Sequence, residues 1–192
     1  MMFEKLSESD KKILLKLARQ SIILAVGGKP LPHLDLSLYS PVLQSDGASF
    51  VTLTEGGELR GCIGTLEPYQ PLVQDVCEHA VAAALHDYRF PPLQPSEIPL
   101  IKIEISRLTL PQPVRYENPL DLPSLLRPNI DGVTLRDGFR RATFLPQVWE
   151  KIPEPYDFLG HLCQKMGAPS DLWQKKVLSV SIYQVEEFRE EE

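Results

Sequence analysis

Apolar residues recur every three to four positions in two long segments of the chain, which is the spacing of one buried helix face. The first segment follows Ser7 to Asp10, which resembles a capping box, and stops at Gly27 and Gly28. This pattern predicts a helix over about residues 8–26. The second segment follows Pro71, which is tolerated in a first helical turn, and predicts a helix over about residues 72–88.

Alternating apolar and polar residues indicate the strands. Residues 49–66 are predicted to form a β-hairpin that turns at Gly56 and Gly57, and residues 101–106 alternate as a lone strand. The other predicted elements are a surface loop over residues 29–44, a second hairpin with strands 133–135 and 140–144, helices near 146–151 and 156–166, and a last strand near 178–185.

The order of these elements lacks the regular succession of strand, helix and strand that builds a parallel sheet. It favours an α+β fold, with a mixed, largely antiparallel sheet and flanking helices, over a doubly wound parallel sheet. A hairpin followed by a helix occurs twice, which suggests two lobes. Because 192 residues lie within the usual range of one domain, we predict that residues 1–192 form a single domain.

The charge of the chain narrows its function. A formal net charge of −6 and a pI near 5.3 argue against a protein whose main activity is nucleic-acid binding, since that affinity comes from clustered Lys and Arg. A local basic patch near Arg136, Arg140 and Arg141 stays open as an alternative. The acidic end, Glu186–Glu192, is expected to be a solvated tail.

The cysteines and the N-terminus point to a cellular compartment. Cys62, Cys77 and Cys163 make neither a paired disulfide framework nor a metal-binding C-x-x-C spacing, so a reducing compartment is favoured. The first residues include early acids and lack the architecture of a signal peptide, and charges interrupt the only long apolar stretch. We expect a cytoplasmic protein that does not act at a membrane.

Histidine and acidic residues raise the question of a metal site. His79 and His86 are seven residues apart on the second predicted helix, and Asp75 precedes His79 by four, so that all three share a face. This face lies opposite the apolar one and is expected to be solvated. Since the chain offers no four-ligand set with usable spacing, we expect neither a structural metal nor a cofactor.

The sharpest local feature is the sequence Leu-Arg-Gly-Cys-Ile-Gly at residues 59–64. On an unbulged strand, the side chains of Arg60, Cys62 and Gly64 share one face. The Arg60 guanidinium would then favour a Cys62 thiolate, and Gly64 would leave room for a ligand or another backbone. The alternative interpretation is a glycine bulge in which Cys62 is a small core residue.

This hexapeptide is very similar to the hallmark sequence of the AMMECR domain family. Further similarities follow in order, namely Asp87 with the segment 89–93, then the segment 142–149, then Trp173 before the last predicted strand. The resemblance covers nearly the whole chain. It implies a two-lobed α+β fold with a cleft between the lobes and the hexapeptide beside that cleft.

The residues and the resemblance together select the candidate site. The catalytic candidates are Cys62, Arg60 and Asp87, where Asp87 is either the ion-pair partner of Arg89 or a general base. The candidate substrate-binding residues are Gly61, Gly64, Thr65, Arg89 and Phe90.

Two functions remain open at this point. One is a thiol-dependent enzyme, or a subunit of an enzyme system, that acts on a small molecule or a protein, although no histidine lies near Cys62 in sequence to act as its base. The other is a non-catalytic binding or adaptor domain for a peptide, a metabolite or a partner protein. The chain also resembles the A component of the prokaryotic AmmeMemoRadiSam system, which implies a Memo-like protein and a radical SAM protein as partners.

Overall fold

The computed structural model describes residues 5–31 and 33–191, which divide into two compact units. The first unit contains the chain up to Leu108 and the stretch from Glu186 onward, and the second is Thr109–Val185. In chain order the helices and strands are α1 (Glu8–Val26), α2 (Pro41–Gln44), β1 (Asp46–Glu55), β2 (Glu58–Gly64), β3 (Gln70–Pro71), α3 (Leu72–Leu85), β4 (Ile101–Leu108), β5 (Gln112–Pro113), α4 (Leu122–Leu125), β6 (Gly132–Asp137), β7 (Arg140–Phe144), α5 (Pro155–Lys165), α6 (Leu172–Lys175), β8 (Ser179–Tyr183) and β9 (Val185–Arg189). Short 3₁₀ helices occupy Leu36–Leu38, Pro119–Asp121 and Pro146–Glu150.

The first unit is built on a sheet with strand order β2-β1-β4-β9, and β3 pairs with the start of β1. Strand β1 is antiparallel to both β2 and β4. Helix α3 packs on one face of this sheet, where apolar side chains alternate with polar ones along each strand. The core on that face includes Val51, Leu53, Ile103 and Ile105 from the strands, Val76, Ala80 and Ala83 from α3, and Leu14, Ala18 and Ile22 from α1.

The predicted elements of the first unit are confirmed with small changes at their ends. Ser7 caps α1 through a capping box with Asp10, as the sequence indicates. The hairpin of β1 and β2 turns at Gly56 and Gly57, which both have a positive φ that glycine adopts without strain. Helix α3 ends at Leu85, earlier than predicted.

The second unit is a four-stranded sheet, with order β5-β8-β6-β7, that is covered by helices. The predicted hairpin around Gly138 is confirmed as β6 and β7. In the core of this unit the rings of Trp149 and Phe158 stack with centroids 3.6 Å apart. Antiparallel sheets with flanking helices confirm the predicted α+β class.

The expectation of a solvated acidic tail was wrong. The strand predicted near residues 178–185 is confirmed as β8, and a further strand, β9, runs from Val185 into the tail and lies beside β4. Phe188 enters the core of the first unit, and the Glu190 carboxylate pairs with Arg19 and accepts the main-chain N–H of Ile103 at 3.0 Å. Cations on other elements and a buried aromatic ring therefore order this acidic segment.

Two further expectations also need correction. The loop over residues 29–44 contains α2, and its Leu43 is fully buried. The face of α3 that carries Asp75 and His79 is buried rather than solvated, because Ser49 on β1 donates a hydrogen bond of 2.6 Å to the Asp75 carboxylate. The same carboxylate lies 3.2 Å from Nδ1 of His79, so the helix can bury its polar side chains.

Residues 5–31 and 33–191 contain no helix that is long and apolar enough to cross a membrane. Within these residues there is also no group of three His, Cys, Asp or Glu side chains arranged to hold a metal ion.

Candidate functional site

The main chain of Cys62 points away from β1, toward the free edge of β2. Its N–H donates to Oδ2 of Asp87 at 2.9 Å, and its carbonyl accepts from Nη2 of Arg89 at 3.2 Å. A neighbouring strand would otherwise satisfy these two groups. The segment that follows α3 therefore closes the sheet edge at the centre of the hexapeptide, and it fixes the position of Cys62.

Asp87 is almost completely buried and fully used by its neighbours. Besides the Cys62 N–H, it accepts hydrogen bonds from Nε and Nη2 of Arg89 at 2.9 and 2.6 Å. The Arg89 hydrogen bonds, assisted by the main-chain N–H of Cys62, hold the pKa of the Asp87 carboxyl well below its usual range against the opposing effect of burial. This geometry makes Asp87 an ion-pair partner and a weak proton acceptor.

Arg60 sits in a β-bulge of β2. Leu59 pairs with Thr54 and Gly61 pairs with Leu53, so that Arg60 has no partner residue on β1. The bulge breaks the alternation that would place the guanidinium beside the Cys62 thiol. Arg60 instead makes a two-pronged ion pair with Glu97, with hydrogen bonds of 2.7 and 3.1 Å.

The two glycines of the hexapeptide are sites of close packing. A Cβ at Gly61 would lie 2.2 Å from the carbonyl oxygen of Ala83 on α3. A Cβ at Gly64 would lie 2.3 Å from the carbonyl oxygen of Ser49 and 2.5 Å from Cγ of Phe50. The space at Gly64 is thus occupied by β1, and at Gly61 the glycine allows helix α3 to approach the sheet.

The Cys62 thiol lies on the face of the sheet opposite α3. Its neighbour in register on β1 is Thr52, whose hydroxyl donates a hydrogen bond to Sγ at 3.3 Å. Cys62 and Thr52 are both half-buried, in contrast to Cys77 and Cys163, which are enclosed. A donor to sulfur stabilises negative charge on it, and partial exposure leaves the sulfur within reach of a ligand.

Arg89, which donates to the main-chain carbonyl of Cys62, is a cation that remains accessible. Its side chain is 43% exposed although it binds Asp87, and its guanidinium carbon lies 5.5 Å from the ring centroid of Phe90. Thr65 turns its hydroxyl toward its own loop, where it bonds the main chain of Glu67. Arg89 therefore contacts both Cys62 and Phe90, whereas the Thr65 hydroxyl is used locally.

Sequence reasoning missed a polar row that crosses three strands. Thr52 pairs with Cys62 on one side and with Glu104 of β4 on the other, and residues directly opposite each other share a face. Burial raises the pKa of the half-buried Glu104 carboxyl, and the charge of Glu187 raises it further. The only signal in the sequence is a glutamate between Ile103 and Ile105, which the alternation marks as the polar face of a buried strand.

Comparisons with known proteins agree with the fold and with the family resemblance. The AMMECR1 family model matches residues 15–188. A protein from Methanothermobacter thermautotrophicus is 38% identical over 194 residues, which cover 100% of both chains. A protein from Methanopyrus kandleri is 37% identical over 100% of this chain and 93% of its own. The crystal structure of an uncharacterized protein from Pyrococcus horikoshii has a TM-score of 0.85 and 31% identity, over 98% of this chain and 95% of that one.

Proposed function

The chain belongs to the AMMECR1 family, and from its site we propose that it is an enzyme that uses the Cys62 thiol as a nucleophile on a substrate that carries an anionic group. The observation that carries the proposal is the hydrogen bond from the Thr52 hydroxyl to Cys62 Sγ on a half-buried sheet face. A thiolate is the reactive form of cysteine, and this donor stabilises it.

Arg89 supplies the second part of the proposal. Asp87 orients the guanidinium through Nε and Nη2, and more than a third of the side chain stays exposed. Asp87 and the Cys62 carbonyl bind Nε and Nη2, so Nη1 is the group that would donate hydrogen bonds to a carboxylate or a phosphate. A substrate held in this way would bring an attached electrophilic carbon to the neighbouring sulfur.

The arrangement of charges supports a second candidate, a binding or adaptor domain. Arg60 is paired with Glu97 instead of the thiol, and Asp87, paired with Arg89, is a weak base for the thiol proton. In that case Arg89 and Phe90 hold an anionic segment of a ligand and Cys62 makes only contacts. Under either candidate function, we propose a Memo-like protein and a radical SAM protein as partners. Co-purification with the tagged chain would test this.

Acylation of the thiol separates the two candidates. We expect p-nitrophenyl hemisuccinate, an ester with a free carboxylate, to acylate Cys62. In this step the sulfur forms a bond to the carbonyl carbon, the bond from that carbon to p-nitrophenolate breaks, and the thiol proton goes to solvent. Mass spectrometry should locate the succinyl group on Cys62, and Cys62→Ala should lack it.

The controls use the other residues of the chain. Burial raises the pKa of the Cys77 and Cys163 thiols, so the variant with both changed to Ser should react as the parent does. Arg89→Lys should slow the hemisuccinate more than neutral p-nitrophenyl acetate, because it loses the guanidinium that Asp87 orients toward the carboxylate. A Cys62 that reacts no faster than a free thiol, with no preference for the anionic ester, would leave the binding domain as the better candidate.

A further inference from the structure

We infer that Glu104 is the general acid of the Cys62 site and that it donates a proton to the leaving group of the substrate. The inference rests on the proposed function of Cys62. It adds a second catalytic residue, and it narrows the substrate class to acyl compounds with a basic leaving group, such as alkyl or unactivated aryl esters and amides.

The register of the first sheet carries the argument. Cys62, Thr52 and Glu104 lie directly opposite one another on β2, β1 and β4, on the face away from α3. Cross-strand neighbours have Cβ atoms roughly 5 Å apart, so that Cys62 and Glu104 are separated by about 10 Å with Thr52 between them. In the proposed complex the carbonyl carbon at the sulfur and its leaving atom would lie between the two side chains, above Thr52.

The groups around Glu104 favour the protonated form of its carboxyl group. Glu187 and Arg189 face it from β9, and Thr52 faces it from β1. On its own strand, Lys102 is exposed and bonds the carbonyl of Glu191, and Ser106 is buried. Two neighbouring carboxyl groups ionise together only at a cost, so one of them retains its proton to higher pH.

The local electrostatics agree with this geometry. Burial is the largest cause that raises the pKa of Glu104, Glu187 adds to it, and Arg189 opposes it. Asp87, the other carboxyl at the site, has its pKa lowered by Arg89. The pKa values of Glu104 and Asp87 are thus shifted in opposite directions, and Glu104, whose pKa is raised, is suited to donate a proton.

The proposed reaction needs only the substrate and water besides the two side chains. The Cys62 thiolate attacks the carbonyl carbon and forms a sulfur–carbon bond. As the bond from that carbon to the leaving oxygen or nitrogen breaks, the leaving atom takes the proton of Glu104. Water then attacks the thioester and gives a proton to the Glu104 carboxylate, which restores both groups and releases the acid.

Leaving-group dependence tests the inference on the full chain. The probes are p-nitrophenyl hemisuccinate, whose leaving group needs no proton, and phenyl hemisuccinate, whose leaving group is more basic. We expect Glu104→Gln to slow acylation of Cys62 by the phenyl ester about tenfold or more and by the p-nitrophenyl ester less than about twofold. Glu58→Gln, an exposed glutamate of the same sheet, should change neither rate.

The pH profile provides a readout that a structural role would not change. The fraction of Cys62 that is present as thiolate affects both rate constants equally, so it cancels in the ratio of the phenyl to the p-nitrophenyl rate constant. In the parent chain this ratio should fall as pH rises through the raised pKa of Glu104, and in Glu104→Gln it should stay flat.

Each outcome decides the question. Equal slowing of both esters in Glu104→Gln would show a structural role for this residue and overturn the inference. A ratio of the phenyl to the p-nitrophenyl rate constant that stays the same across pH in the parent chain would also overturn it. If the p-nitrophenyl ester fails to acylate Cys62 in the parent chain, the proposed function itself fails. Acylation of Cys62 with no loss in Glu104→Gln would overturn only the role of Glu104.

Discussion

At the scale of single residues, packing explains most of the hexapeptide, and chemistry concentrates on Cys62. Gly61 and Gly64 admit helix α3 and strand β1, and Arg60 holds Glu97. The Cys62 thiol has a hydroxyl donor and partial exposure, and Arg60, in the bulge, pairs with Glu97 instead of this thiol. The hexapeptide therefore combines structural positions with the one residue, Cys62, to which we assign a chemical role.

We predict that Glu104 also affects the free energy of unfolding. Its folded-state pKa is raised, so ionisation is less favourable in the folded chain than in the unfolded one. The resulting destabilisation is absent below the unfolded pKa, near 4.5, and develops as pH rises through the folded value. Denaturant unfolding should therefore show Glu104→Gln more stable than the parent at pH 7 and close to it at pH 4.

The exposed Glu58→Gln is the control for removal of one negative charge from the same sheet. It should shift stability little at either pH, because surface charges contribute weakly. A loss of stability in Glu104→Gln at pH 7 would contradict the strained, half-buried carboxyl inferred for this position.

At the scale of elements, periodicity predicted those whose sequence pattern matches their burial. Helix α1, the hairpin of β1 and β2, strand β4 and the second hairpin all carry a regular apolar face. The bulge at Arg60 escaped prediction because it depends on register with Leu53 and Thr54. The burial of Asp75 was not predicted because its hydrogen-bond donor, Ser49, lies on another element. Of the candidate site, sequence and resemblance supplied Cys62 and the segment at Asp87 to Phe90, whereas Thr52 and Glu104 join it only through strand pairing.

Strand β9 shows how a charged element becomes part of a sheet. Its acidic composition predicts a tail, yet Arg19 pairs with Glu190, and Arg107 lies 3.5 Å from Glu186. Phe188 adds an apolar contact with the core. These partners lie far away in sequence, so the tail itself gives no sign of them.

Removal of this strand should expose the edge of β4 and the core below it. We predict that a chain ending at Val185 unfolds at a lower denaturant concentration than the parent, because it loses Phe188 and the ion pairs of Arg19 and Arg107. The single change Phe188→Ala should cost about 3 kcal/mol or somewhat less at the sheet edge. Loss of only Glu191 and Glu192 is the control, and a truncated chain as stable as the parent would contradict the role of β9.

At the scale of the whole molecule, the chain leaves the first unit after β4 and re-enters it at β9. These two strands are neighbours in one sheet, and the ion pair between Arg107 and Glu186 joins the exit to the entry. Each unit has its own buried apolar cluster. The second unit, Thr109–Val185, is therefore an insertion whose ends are close together, and such insertions are compatible with independent folding.

We predict that the first unit folds without this insertion. When Thr109–Val185 is replaced by about four glycine-rich residues, enough to join adjacent strands that lie about 5 Å apart, the shortened chain should unfold cooperatively in denaturant. Since Cys62, Thr52, Asp87, Arg89 and Glu104 all belong to the first unit, the shortened chain should still be acylated at Cys62 by p-nitrophenyl hemisuccinate. The same chain with Phe188→Asp places a charge in its core and should fail to fold, which controls for collapse without native packing. A cooperatively folded short chain that has lost acylation would show that the site needs residues of the second unit, and a chain with no cooperative transition would show that the two units fold only together.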